Sequence, residues 1–220
     1  MILIGMFDSP YVRRVAISMT LLGIPFEHRN WSVGRDFDRI REFNPQGRVP
    51  TLVLDDGEAL TESAMIIDHL DQVAGPQRAL LPPSGHARRQ AQSIIGLATG
   101  AVDKGILIVM ERIFRPAEKN HPPFLDRCRL QIRGALAELD ARCAARSGNL
   151  LVGDTIGQAD ITLACYANYL RDAVPFDLSP YPALVAHCER CEALPVFRQF
   201  AVPFDAPVPT SATTSPVTSA

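Results

Sequence analysis

Apolar positions along the first third of the chain change period several times. Met1 to Gly5 is a short apolar run, and after Ser9-Pro10 the residues Val12, Val15, Ala16, Met19 and Leu22 recur at the spacing of one helix face. Ser9 is a suitable N-cap, Pro10 a favoured first helical residue, and Gly23 a stop. Phe26 to Trp31 predicts a second strand, and Asp36 to Phe43 a short helix stopped by Asn44-Pro45. Thr51 to Leu54 predicts a third strand that turns at Asp55-Asp56-Gly57 into a fourth, Glu58 to Leu60, before a helix over Glu62 to Val73. The order βαβαββα combines a parallel crossover with a hairpin, which makes a mixed sheet of thioredoxin-like type over residues 1–75.

The pattern shifts near residue 76. Residues 76–86 include Pro76, Pro82 and Pro83 without helical periodicity and read as an interdomain linker. From there to Phe200 the chain reads as helix, so an all-helical bundle is expected over residues 87–202. Arg88 to Arg115 is long and apolar, with Gly96, Gly100 and Gly105 leaving room for another backbone; Phe124 to Arg146 aligns Ile132, Leu136, Leu139 and Cys143 on one face. A further helix is expected to start at Gly157, with Asp160 at its third position and Ile156 and Ile161 as a hydrophobic staple. Residues 203–220 are mostly Pro, Ser, Thr and Ala and cannot bury enough apolar surface to offset their ordering entropy, so a disordered tail is expected.

Composition narrows the function classes. With 47% hydrophobic and 21% charged residues the chain has material for a real core, and 22 basic against 24 acidic side chains leave a net charge of -2. No basic field exists to collect nucleic acid or anionic lipid, so the expected partners are small molecules or proteins. No apolar run approaches the ~18 residues of a membrane span, and the start carries no basic leader. An odd set of five cysteines, placed mainly in helical patterns, points to a reducing, cytoplasmic compartment. Cys188 and Cys191 lie within one helix without a second pair and read as packing; His28, His69, His86 and His121 are scattered, so no metal site is expected.

Three motifs stand in a specific order: Ser9-Pro10-Tyr11-Val12-Arg13-Arg14-Val15, Asn44-Pro45-Gln46-Gly47-Arg48-Val49-Pro50-Thr51-Leu52, and Glu62-Ser63-Ala64-Met65-Ile66-Ile67. On these motifs and on the domain order, residues 1–200 resemble the cytosolic glutathione S-transferases, of a serine-type, bacterial-like kind. The resemblance implies glutathione as co-substrate, a hydrophobic electrophile as second substrate, and a homodimer. It implies a cis Val49-Pro50 peptide that turns the Val49 backbone toward an extended, peptide-like ligand. Ser63, at a helix N-terminus, would receive the γ-glutamyl carboxylate, and Glu62 its α-amino group. Arg48 or Arg35 would meet the glycyl carboxylate. The electrophile is expected between Phe7 and Tyr11 on one side and Met110 and Phe114 on the other. Gly157 departs from the family's Ser or Thr at the N-cap of its bundle helix.

The chemistry implied rests on the glutathione thiol. A thiol of pKa ~8.5 is only about 3% ionised at neutral pH, and the thiolate is the nucleophile. A hydroxyl donor from Ser9 is worth ~1.5–3 kcal/mol toward a charged sulfur and the helix dipole ~0.3–1, together about two pKa units. Ser9 is therefore the candidate catalytic residue, as a donor and not a covalent nucleophile. The alternative readings are that Ser9 is a helix cap alone, which the three motifs together disfavour, and that Tyr11, in the same turn, replaces or assists it. Arg13 and Arg14 are expected on a solvated helix face, with Arg13 a conceivable helper to the thiolate. Peroxide reduction, dehalogenation or isomerisation would use the same activated thiol, and a non-catalytic binding scaffold would use none of it.

Overall fold

The computed structural model describes residues 1–206. Four short strands, β1 (Ile2–Ile4), β2 (Glu27–Arg29), β3 (Thr51–Val53) and β4 (Ala59–Thr61), form one sheet in the order β2-β1-β3-β4. β1 and β2 are parallel and the other pairs antiparallel, with Leu3 opposite both His28 and Leu52. Alternation of side chains divides the sheet into two faces. Leu3 and Leu52 pack with α1 (Pro10–Leu21) and α3 (Ser63–Ala74), while Ile4 and Val53 pack with Ile40 of α2 (Phe37–Arg41), Trp31 and Phe43. The mixed thioredoxin-like sheet read from the sequence is thus the one observed.

The rest of the described chain is helical: α4 (Gly85–Phe114), α5 (Pro122–Ala145), α6 (Gln158–Asp172), α7 (Pro182–Glu192) and α8 (Pro195–Gln199). α4 packs on α5 and α6, and α6 is buried at every position from Gln158 to Leu170, which makes it the axis of the bundle. Among the described residues α4 is the helix with the length and hydropathy of a membrane span, contrary to the sequence expectation. Part of its apolar surface, Ala91, Ile94, Ala98, Val102, Ile108 and Val109, is buried within the bundle, while Leu107 and Phe114 are exposed. Of the three glycines expected to admit a neighbour, only Gly105 does so inside the chain: a Cβ there would lie 2.5 Å from Leu170, whereas Gly96 and Gly100 meet nothing.

The two halves meet where α1 packs on α6. The two arginines expected on a solvated face are instead buried in this junction. Arg13 holds Glu192 through both carboxylate oxygens, at 2.9 and 2.6 Å, and donates to the Phe197 carbonyl at 2.9 Å. Arg14 lies over the Tyr166 ring and donates to Thr162 at 3.3 Å. A buried guanidinium without partners would be strongly destabilising, so each must find acceptors on the opposite half. Gln158 completes the contact by donating to Ser18 at 2.6 Å.

Residues between α3 and α4 are tied to both halves. Asp71 accepts the Leu80 and Leu81 N–H groups at 2.8 and 3.1 Å, and the Leu80 carbonyl accepts the Gln158 N–H at 2.9 Å. This close passage explains Gly157, since a Cβ at that position would stand 2.9 Å from the Leu80 carbonyl oxygen. Asp160 still provides its half of the capping box, accepting the Gly157 N–H at 3.1 Å and the Leu151 N–H at 2.9 Å.

The cysteines are all free and buried. Burial pushes the Cys143 thiol up to about 11, and Cys165 and Cys191 to about 12, so they are poor nucleophiles. Among the described residues no group of His, Cys, Asp and Glu is arranged to hold a metal ion. The disorder expected from residue 203 onward falls largely outside the described residues. Residues 203–206 have no regular secondary structure, yet Phe204 meets the Tyr169 ring edge-on at 5.8 Å.

Replacing Gly157 by Ser is expected to lower stability by roughly 1–2 kcal/mol, because the contact with Leu80 outweighs the few tenths that a serine N-cap gains over glycine. Chemical denaturation checks this. A variant more stable than the parent would contradict the close passage of the linker.

Candidate active site

A cleft of about 1080 Å³ opens between the sheet domain and the bundle. Ser9, Pro10 and Tyr11 from the start of α1, the turn around Arg35, and Arg48 and Val49 form one side; Ile106, Met110 and Phe114 of α4 form the other. A small recess adjoins it, lined by Tyr11, Arg48, Val49, Pro50, Glu62 and Ser63. The seven residues selected from the sequence are thus divided between the cleft and the recess, which share Tyr11, Arg48 and Val49. Phe7 does not: it stacks on His28 at 3.8 Å and packs on Phe200, facing inward. Tyr169 and Phe204, which the sequence did not single out, supply apolar wall instead.

Ser9 caps α1, its oxygen accepting the Val12 N–H at 3.4 Å. That bond uses a lone pair only, and among the described residues no acceptor takes the hydroxyl proton. The turn before it is tight because Gly5 has φ 131 and a Cβ there would lie 2.5 Å from Val12 and 2.8 Å from Val49. Only glycine lets β1, the start of α1 and the Val49 loop converge.

Tyr11 is differently engaged. Its hydroxyl donates to Asp103 of α4, and burial followed by this bond raises its pKa far above the ordinary value. Its one proton is thus committed across the cleft, and its ring meets Tyr166 edge-on at 5.3 Å. Arg13, bound to Glu192, is a clamp between the halves and lies outside the cleft lining.

The loop carrying Arg48 to Pro50 is built around Asn44, which the sequence marked as a helix stop and as the first residue of the second motif. Its buried amide donates to the Arg48 carbonyl at 2.9 Å and to Thr51 at 3.3 Å, while its oxygen accepts the Gln46 N–H at 3.0 Å. Gly47, at φ 63, avoids a collision with the Phe37 ring. Val49 and Pro50 are joined by a cis peptide bond. Among the described residues the Val49 N–H and carbonyl have no hydrogen-bond partner. Arg48 is exposed. Arg35, Arg39 and Arg41 are each paired with a carboxylate, those of Asp205, Asp36 and Asp38.

At the recess, Glu62 has φ 68 and ψ 116, a conformation that costs a non-glycine residue about 1–3 kcal/mol and is tolerated mostly at functional sites. It leads into α3, where Ser63 donates to the Glu62 carboxylate at 3.2 Å. The Ser63 and Ala64 N–H groups open α3 without acceptors among the described residues, as the first turn of a helix dictates. Sequence alone suggested this anion-binding end but not the strained backbone that aims it.

Both halves of the chain are similar to known proteins. The model of the glutathione S-transferase N-terminal domain matches residues 3–78, and that of the C-terminal domain matches residues 122–190. The uncharacterized GST-like protein YibF of Escherichia coli K12 is 32% identical over 77% of this chain and 81% of its own. A protein of Drosophila melanogaster named probable maleylacetoacetate isomerase 2 is 29% identical over 84% of this chain and 80% of its own. Among solved structures, a glutathione S-transferase of Methylobacterium radiotolerans in complex with glutathione sulfonate superposes with a TM-score of 0.83 at 28% identity, covering 98% of both chains. Matched domain by domain, in sequence and in fold, the chain belongs to the glutathione S-transferase family.

Proposed function

We propose that this chain binds reduced glutathione in the cleft, holds the sulfur beside Ser9 as a thiolate, and adds it to an apolar electrophile resting against α4. The observation that carries this reading is that the cleft lined by Ser9 and the small recess lined by Ser63 adjoin and share Tyr11, Arg48 and Val49. The free N–H and carbonyl of Val49 suit an extended peptide such as the cysteinyl unit. The open N-terminus of α3 with Ser63 suits the γ-glutamyl carboxylate, and Glu62 the α-amino group. Arg48 or Arg35 meets the glycyl carboxylate. Met110, Phe114 and Ile106 provide the surface for the electrophile.

Ser9 has a hydroxyl proton free to donate, whereas the Tyr11 hydroxyl already donates its hydrogen bond to Asp103; this difference supports Ser9 as the donor to sulfur and leaves Tyr11 to shape the wall. The step is nucleophilic: a sulfur–carbon bond forms and the leaving group departs with its electron pair, or the electrophile takes a proton where addition occurs. Isomerisation is a second reading, favoured by relatives named as probable maleylacetoacetate isomerases. Ser9 here lies between Asp8 and Pro10, without the Ser-Ser-Cys run of that branch. A homodimer belongs to the same proposal, and the open side of α4 at Gly96 and Gly100 supports a second copy there. Five free thiols fit a cytoplasmic location.

Replacing Ser9 by Ala is expected to slow addition of glutathione to a dinitrophenyl halide by about 10- to 100-fold, the loss of one hydrogen bond to a charged sulfur. The thiolate absorbance of bound glutathione should then titrate about one to two pH units higher. An unchanged rate and titration would remove Ser9 from the chemistry. Replacing Tyr11 by Phe is expected to leave that titration in place, since its hydroxyl pKa lies far above the working range and its proton faces Asp103. A loss matching that of the Ser9 variant would reverse the two roles.

A further inference from the structure

The chain after Arg198 contains a single charged residue, Asp205. It lies across the cleft mouth. Its carboxylate holds Arg35 at 2.8 Å, and its N–H donates to Asp8 at 3.0 Å. Phe204 beside it rests on Tyr169, and both Phe204 and Asp205 line the same cleft as Ser9 and Arg48. The contact spans most of the sequence, and it brings one carboxylate near another, that of Asp8. Arg35 offsets that repulsion.

Arg35 itself sits on a fixed support. The Ser32 N–H donates to the Asp36 carboxylate at 3.0 Å, the Asp36 N–H to the Ser32 carbonyl at 2.8 Å, and the Gly34 N–H to the Ser32 hydroxyl at 3.2 Å. The backbone that carries Arg35 is thereby held as a turn on the cleft wall. The Arg35 side chain and that of Asp205 are about half exposed, at 47% and 53%. A pair so hydrated contributes little stability and exchanges partners at low cost.

Resting on the function proposed above, we infer that Arg35 is a carboxylate-binding subsite of the cleft and that Asp205 occupies it as an internal stand-in, so that an acidic ligand binds by displacing the strap formed by residues 203–206. The shared chemistry is a carboxylate. It comes either from the glycyl end of glutathione or from an acidic second substrate. Displacement leaves Asp205 in water and frees Phe204 to move from the cleft wall, so the strap competes with the ligand for Arg35.

Full-length protein and its Asp205→Asn, Arg35→Gln and doubly substituted variants test this by titration with glutathione, its glycyl ethyl ester and malonate, followed by fluorescence of Trp31, which lines the cleft. Asp205→Asn is expected to bind glutathione about two- to five-fold more tightly, the span set by an exposed ion pair. Arg35→Gln should weaken binding, and in that background Asp205→Asn should gain nothing. A gain for glutathione that disappears with the ester identifies the glycyl carboxylate as the occupant. A gain retained by the ester and matched by malonate identifies an acidic second substrate. Unchanged affinity in Asp205→Asn, or a gain that persists without Arg35, would overturn the stand-in while leaving glutathione binding intact. If wild type and all variants fail to bind glutathione and its ester, the proposed function falls and this inference falls with it.

Discussion

Helix α1 is enclosed on two sides, and this enclosure is the constraint on which the site depends. Val15, Ala16 and Met19 have no exposure and belong to the main core, while Arg13 and Arg14 are buried on the side that meets the bundle. Two guanidiniums withdrawn from water must be answered by specific acceptors, and those acceptors lie on α6, α7 and α8. The relative position of the two halves is thereby tied to the helix whose first turn carries Ser9 and Tyr11. The cleft is a consequence: its floor is the start of α1, and its walls are whatever the two halves present there.

Within that cleft, charge and hydrogen bonding separate residues that composition cannot. Ser9 and Tyr11 both carry a hydroxyl in the same helical turn, yet one spends a lone pair on a cap and the other spends its proton on Asp103. In the proposed function a donor to sulfur needs an uncommitted proton at the positive end of a helix, and Ser9 is placed there with its proton free among the described residues. At α3 the positive φ of Glu62 leads into a first turn whose Ser63 and Ala64 N–H groups have no acceptor among the described residues, and the proposed function places the γ-glutamyl carboxylate there. Nearby, the loop that carries Val49 is held by Asn44, which donates to the Arg48 carbonyl and accepts the Gln46 N–H.

The order of strands and helices was legible because each element carries a local signal: the period of α1, the Asn44-Pro45 stop, the Asp56-Gly57 turn. The three motifs that led to Ser9, Val49-Pro50 and Glu62-Ser63 were legible for the same reason, being contiguous. What depends on distant partners was not. Arg13 and Arg14 look like surface residues until Glu192 and Thr162 are brought to them, and Gly157 looks like a weak cap until Leu80 passes over it. Phe7 has the composition of a pocket residue but is claimed by His28 and Phe200. Asp205 stands in a segment whose composition argues against order, and a single ion pair with a phenylalanine contact gives it a place.

The most direct measurement of the central claim is a calorimetric titration of the full chain with reduced glutathione and, in parallel, with S-methyl glutathione, which cannot ionise at sulfur. The account predicts saturable binding of one glutathione per chain, and weaker binding of the methylated form because Ser9 then faces a neutral thioether in place of a thiolate. Absence of saturable binding by either ligand would contradict it and leave the fold as a scaffold for another purpose.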